Sequence, residues 1–168
     1  DDRVEDKAMW HYTMAALYDA KGEYSNALRQ IAVGDKVCKE GSFMANSFRV
    51  LRMMVEARTS PYNAKYIERL ATDVRWLSDL ASKNITPKLK KELYPHVVHT
   101  KWGRYTPDIE YYNKMYWSDA MNRILADCLA PRLKKEGRIT DALLVSNLGE
   151  YWLPKNVYGT ARIKNNDG

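Results

Sequence analysis

Three residues in the middle of the chain have the types and spacing to hold a metal ion: Glu92, His96 and His99. On a continuous helix, steps of four and three residues bring a carboxylate and two imidazoles onto one face, as zinc ligation requires. Pro95 stands inside that span, removes a backbone N–H and drives Tyr94 toward extended backbone. The helix that such a site needs is therefore not expected, and neither a metal nor any other cofactor is assigned. His11 stands alone on a helical pattern and reads as packed or hydrogen-bonded. The carboxylates Asp108 and Glu110 sit near a helix start, where acids suit the dipole. No Gly-rich phosphate loop, G-x-S-x-G elbow or H-E-x-x-H signature occurs. Cys38 and Cys128 lack C-x-x-C spacing and read as buried free thiols. No residue is assigned a catalytic role, and the expectation is a protein that is not an enzyme.

Charge and aromatic rings offer a different chemistry. Between Lys83 and Arg104 stand six basic residues against the single acid Glu92, so this window carries +5 of the chain's net +6. Lys88, Lys90, Lys91, Lys101 and Arg104 form a candidate polyanion patch, and nearby Trp102, Tyr105, Tyr111, Tyr112, Tyr116 and Trp117 could stack bases. The competing reading is structural: Tyr112 and Tyr116 are four apart, as rings in a helical core would be. The chain has 12 Tyr and 5 Trp but only 2 Phe. Such rings bury a large apolar body while keeping a polar handle, which suits partly wet helix interfaces and binding grooves alike.

The elements that must position these groups are helical. A chain of 168 residues suits one domain or a short repeat array. No stretch approaches the roughly 20 apolar residues needed to span a bilayer. The first residue is Asp1, not Met; removal of a leader and trimming of the chain would look the same. A first helix is predicted from about Val4 to Lys21, with Gly22 as its stop. A second begins near Ser25 and runs toward Cys38, with Gly41 beyond it. Ser42 is expected to cap the third, where Met44, Phe48, Leu51 and Val55 share a face. The fourth takes Ser60 as N-cap and Pro61 at its first position, with a seam of Ile67, Leu70, Val74, Leu77 and Ala81. Thr86-Pro87 opens a short helix that Pro95 ends, and an irregular connector follows. Thr106-Pro107 restarts helix, and the run to Glu136 is long enough to predict a break near Asn113–Ser118 or at Pro131. The last helix is expected to use Thr140 as N-cap, Ile139 and Leu144 as a staple, and Leu144, Leu148 and Tyr151 as its buried face. Pro154 is expected to end it.

Two stretches echo each other. Residues 22–28 read G-E-Y-S-N-A-L and residues 137–143 read G-R-I-T-D-A-L. Glycine permits the positive φ that ends a helix, the large apolar residue fills the corner, Ser or Thr caps the next helix, and Ala lets two helices approach. With these corners the sequence resembles the tetratricopeptide repeat family, whose unit of about 34 residues is an antiparallel helix pair. Trp10, Met14, Ala15 and Tyr18, then Tyr24, Ala27 and Ile31, fall on the signature positions of a first unit. Ala126, Leu129, Ala130 and Leu133, then Ile139, Ala142 and Ser146, fall on those of a second. The corner glycines are 115 residues apart, not a whole multiple of the repeat, and Gly34 and Gly149 stand where the family usually has Ala.

The resemblance implies a concave surface lined by the first helix of each pair. Its groove positions are Met9, Tyr12, Ala16 and Asp19 in the first unit, and Ile124, Asp127, Pro131, Lys134 and Lys135 in the second. The stretch from Tyr116-Trp117 to Pro131 also resembles exported helical-repeat proteins of gut anaerobes, which implies a periplasmic or cell-surface bacterial protein. The expected fold is all-α, with antiparallel hairpins stacked as a short tetratricopeptide-like array or α-α superhelix. One domain is expected, with helix pairs at about residues 4–38, 43–82 and 107–153 and a basic connector at about 83–106. The expected function is a non-catalytic scaffold for a protein or peptide. The alternative is a nucleic-acid or polyanion binder centred on Lys83–Arg104.

Overall fold

In the computed structural model the described residues are 2–83, 87–88, 91 and 109–151, and their regular structure is helical with no strand among them. The helices are α1 (Asp2–Ala20), α2 (Tyr24–Val37), α3 (Phe43–Thr59), α4 (Ala64–Ala81), α5 (Ile109–Asn122), α6 (Ala130–Lys135) and α7 (Ile139–Tyr151); a π-helical segment, Arg123–Leu129, joins α5 to α6. The fold is an all-α helical array. Contacts divide it into two compact units, Asp1–Tyr66 and Ile67–Gly168, with the boundary inside α4.

In the first unit α1 ends at Gly22, whose φ of 76° is open to glycine at no steric cost. The Gly22 N–H donates to Asp19 O and the Glu23 N–H donates to Tyr18 O, at 3.0 and 2.9 Å. These two bonds satisfy carbonyls that the helix end would otherwise orphan. The corner is so short that Glu23 already occupies the N-cap of α2, without a side-chain bond. Ser25 therefore lies inside the first turn, not at the cap expected of it. Past the corner the helices run antiparallel: His11, 11 residues before Gly22 on α1, meets Gln30 and Gly34, 8 and 12 residues after it on α2.

Ser42 caps α3 as predicted, accepting from the Ala45 N–H at 3.2 Å. The predicted face is also buried: Phe48, Leu51 and Val55 join Ala8, Ala15, Ala27 and Ile31 in one core, with Met44, Tyr24 and Leu28 packed against it. Burying a ring such as Phe48 contributes about 1.5–3 kcal/mol. The start of α4 differs from expectation. The Ser60 N–H still donates to Glu56 O at the end of α3, and the Tyr66 N–H bonds instead to Asn63 Oδ1. Asn63, not Ser60, thus caps α4, because α3 keeps Ser60 for itself. The α4 seam holds at Leu77 and Ala81, whereas Ile67 is exposed and Tyr66 and Asp73 are buried.

The second unit is built around the long helical run from α5 to α6. Trp117, Met121, Ile124, Leu125, Leu129 and Leu133 are fully buried along it. Asn113 ties its start to α4: the amide Nδ2 donates to Leu80 O, and Oδ1 accepts from Trp117 Nε1, each at 3.0 Å. The predicted break takes another form. Asn113–Ser118 is unbroken helix, and the run widens to π geometry before Pro131 instead of stopping there. At its end the corner of the first unit recurs. Gly137 has φ 83°, its N–H donates to Lys134 O, and the Arg138 N–H donates to Leu133 O at 2.8 Å. The four corner bonds, from Lys21, Gly22, Glu23 and Ala27, reappear from Glu136, Gly137, Arg138 and Ala142, each displaced by 115 residues.

The face that α7 buries differs from the expected one. Ala142 and Gly149 are buried, whereas Ile139, Leu143, Leu144 and Leu148 are exposed. A Cβ on Gly149 would stand 3.2 Å from Leu125 Cβ and 3.3 Å from Ala126 N, so α7 lies against the π segment through its small residues. The Ile139–Leu144 staple is correspondingly absent, and Thr140 lies within the first turn of α7 and not at its cap.

Candidate functional site

The first-helix positions differ in what remains available. Met9 is 48% exposed on α1. Tyr12 is half-buried, its ring edge-on to Phe48 with centroids 5.5 Å apart. Asp19 accepts from Arg58 Nη1 at 2.6 Å, so it joins the end of α1 to the end of α3. Tyr12 and Asp19 therefore already have partners on α3. In the second unit Ile124 is buried, while Asp127, Pro131, Lys134 and Lys135 are exposed. Asp127 lies in the π segment and both lysines lie in the last turn of α6, where cations suit the carbonyl end of the helix.

Of the polyanion patch, Lys88 and Lys91 are exposed, and Lys83 beside them is exposed too. Lys90, Lys101 and Arg104 lie outside the described residues, as do Trp102, Tyr105 and the Glu92, His96, His99 constellation. Among the described residues no group of three His, Cys, Asp or Glu side chains gathers as metal ligands would. A shallow cleft of about 350 Å³ opens at the end of α4, lined by Lys83, Glu110, Tyr111 and Lys114. It brings Lys83 together with Lys114, which the sequence separates. Of the aromatic run, Trp117 is core and Tyr116 is exposed.

The isolated titratable groups are accounted for by packing. His11 Nδ1 donates to Gln30 Oε1 at 2.7 Å, and Trp10 lies edge-on to its ring. Cys128 is buried and Cys38 half-buried. Burial, with the charge of Asp35 adding to it, pushes the Cys38 thiol up, and its Sγ contacts Gly34 O at 3.3 Å. That thiol is held protonated and is a poor nucleophile.

Sequence reasoning missed two large apolar groups left at the surface of α1. Trp10 and Leu17, seven apart on α1, are 56% and 52% exposed. Their spacing was legible; which side of the helix the core takes was not. On α7 the outcome is the reverse: Leu144 and Leu148, expected on the buried face, are exposed. Among the described residues no helix is long and apolar enough to cross a membrane. Compared with known families, curated proteins and solved structures, the chain matches none.

Proposed function

We propose that this chain is a non-catalytic, tetratricopeptide-like module of a larger protein, and that it holds a protein or peptide partner on its helical surface. The observation that carries this reading is the corner repeated bond for bond at a displacement of 115 residues. A recurring hairpin gives recurring faces, and such faces suit recognition of an extended partner. Large apolar groups at the surface of α1 and charged groups at the end of α6 supply anchors and steering respectively. Met9, Asp127, Pro131, Lys134 and Lys135 are the first-helix positions open to a partner, with Tyr12 and Asp19 shaping the surface from beneath.

The test is partner recovery by the immobilised full chain, compared with Met9→Glu and Lys134→Glu. Both positions are exposed, so neither change should disturb folding. The wild type should retain a defined protein that the variant of the engaged face loses. Equal recovery by all three sinks the assignment of both first-helix faces, the one on α1 and the one on α6. A second reading, binding of nucleic acid or another polyanion, is favoured by the joint exposure of Lys83, Lys88 and Lys91.

A further inference from the structure

The end of α4 and the start of α5 are clamped together through one buried amide. Asn113 donates from Nδ2 to Leu80 O and accepts at Oδ1 from Trp117 Nε1, each at 3.0 Å. Leu80 O also accepts from the Lys83 N–H at 3.4 Å, so this carbonyl at the end of α4 is taken up twice. The clamp fixes the two walls of the cleft of about 350 Å³. Ala81, Ser82 and Lys83 line one wall, and Glu110, Tyr111 and Lys114 line the other. Ligand sites of small molecules begin at roughly this volume. Among the described residues neither lysine is joined to an acid, and Glu110 is joined to neither. The hollow thus gathers two positive charges and one negative. Like charges held on opposite walls of a concavity raise the field inside it, and an anion between them relieves their repulsion.

We infer that this cleft binds the phosphate group of a small hydroxylated molecule, a sugar phosphate or a mononucleotide, between Lys83 and Lys114. A phosphate monoester carries about −1.5 to −2 charges at neutral pH, which answers two ammonium groups, whereas a single carboxylate answers one. Lysine binds phosphate as a point charge, so two of them on separate walls need no fixed fork to share it. Ser82 adds a hydroxyl donor to the first wall. Glu110 sets the limit on the other side: its carboxylate accepts from a hydroxyl and repels a second anionic group. A compact monoester with hydroxyls fits that combination, and a long polyanion does not. The site shares Lys83 with the basic connector but needs neither Lys88, Lys90 and Lys91 nor the hairpin faces.

The probes are ribose 5-phosphate and AMP, titrated separately into the full chain with calorimetry and backbone amide NMR as readouts. Each should bind saturably at one site and shift the amides of Ser82, Lys83 and residues 110–114. Whichever binds tighter separates a sugar phosphate from a nucleotide as the ligand class. Adenosine, which has the ring and hydroxyls without the phosphate, should not bind. Lys83→Gln and Lys114→Gln should each weaken binding about ten-fold or more, whereas Lys114→Arg, which keeps the charge, should weaken it less than about three-fold. Both lysines are exposed, so circular dichroism should show that the variants fold as the wild type does. The triple variant Lys88→Glu, Lys90→Glu, Lys91→Glu should stay within about two-fold of the wild type at physiological salt. Binding that does not saturate, equal binding of adenosine, or indifference to both glutamine variants overturns the inference. Loss of binding in the triple variant overturns it too, in favour of the connector. Heparin retention and partner recovery are read on other residues, so the readings fail separately.

Discussion

Gly34 and Gly149 occupy the same place in their two hairpins, twelve residues past the corner glycine, but they are not equally necessary. A Cβ at Gly34 would stand 2.9 Å from His11 Cβ and 2.7 Å from an edge carbon of the Phe48 ring. His11 is tied to Gln30 and Phe48 is fully buried, so neither can yield freely. At Gly149 the nearest atom is 3.2 Å away. Alanine gains about 1 kcal/mol of helix propensity over glycine, whereas overpacking costs about 1–3 kcal/mol. Gly34→Ala should therefore lower stability by about 1–2 kcal/mol in urea unfolding, and Gly149→Ala should be close to neutral. Equal effects would mean that the two close approaches are not distinguished by the side chains around them. The corner glycines themselves were legible in the sequence because a positive φ leaves few other residue types. These two helical glycines were visible only as departures from alanine, because what a missing Cβ makes room for depends on the neighbouring helix.

The long helix from α5 to α6 shows how an element absorbs a proline that should break it. The Ala130 N–H bonds to Leu125 O, five residues back, and the Glu136 N–H bonds to Arg132 O, four back. Pro131, with no N–H, stands where the ladder changes from the wider spacing to the narrower. A wider turn ahead of a proline eases the clash that its ring makes with the carbonyl four residues back, so the proline costs less here than in an ordinary helix interior. Relieving a proline in an ordinary helix interior gains about 3 kcal/mol. Pro131→Ala should gain well short of that, about 1 kcal/mol, and leave helicity unchanged, because the helix already runs through the proline. A stabilisation near the full amount, read from urea unfolding, would show that the proline is strained. The sequence made the disturbance near Pro131 legible but not its form. Hydrophobic periodicity can reveal that a helix continues, whereas the choice between spacings of four and five is made by what both ends must bury. The face of α7 was illegible for a related reason. Leu143, Leu144, Val145 and Leu148 make the helix apolar on several sides, and the small residues Ala142 and Gly149 decide which side can come closest.

At the scale of the whole chain the electrostatics are local. The window from Lys83 to Arg104 carries +5, leaving +1 for the other residues together. A field of that kind attracts an anionic partner to one place, while the charges of the rest of the chain nearly cancel in sum. Apolar anchoring on the hairpin faces and polyanion binding at the connector are therefore separable by salt. Screening shortens the reach of exposed charges to about 8 Å at physiological ionic strength, while apolar contacts are indifferent to it or strengthened. The chain should be retained on heparin at low salt and released as salt rises. The triple variant Lys88→Glu, Lys90→Glu, Lys91→Glu reverses three of the six charges that produce the field, and should elute markedly earlier. Partner recovery by the α1 and α6 faces should persist both in that variant and at the salt concentration that strips heparin. If the triple variant instead elutes with the wild type, the connector does not carry the interaction. If it loses the protein partner as well, the connector and not the hairpin faces holds that partner, because only the charges of that window have changed.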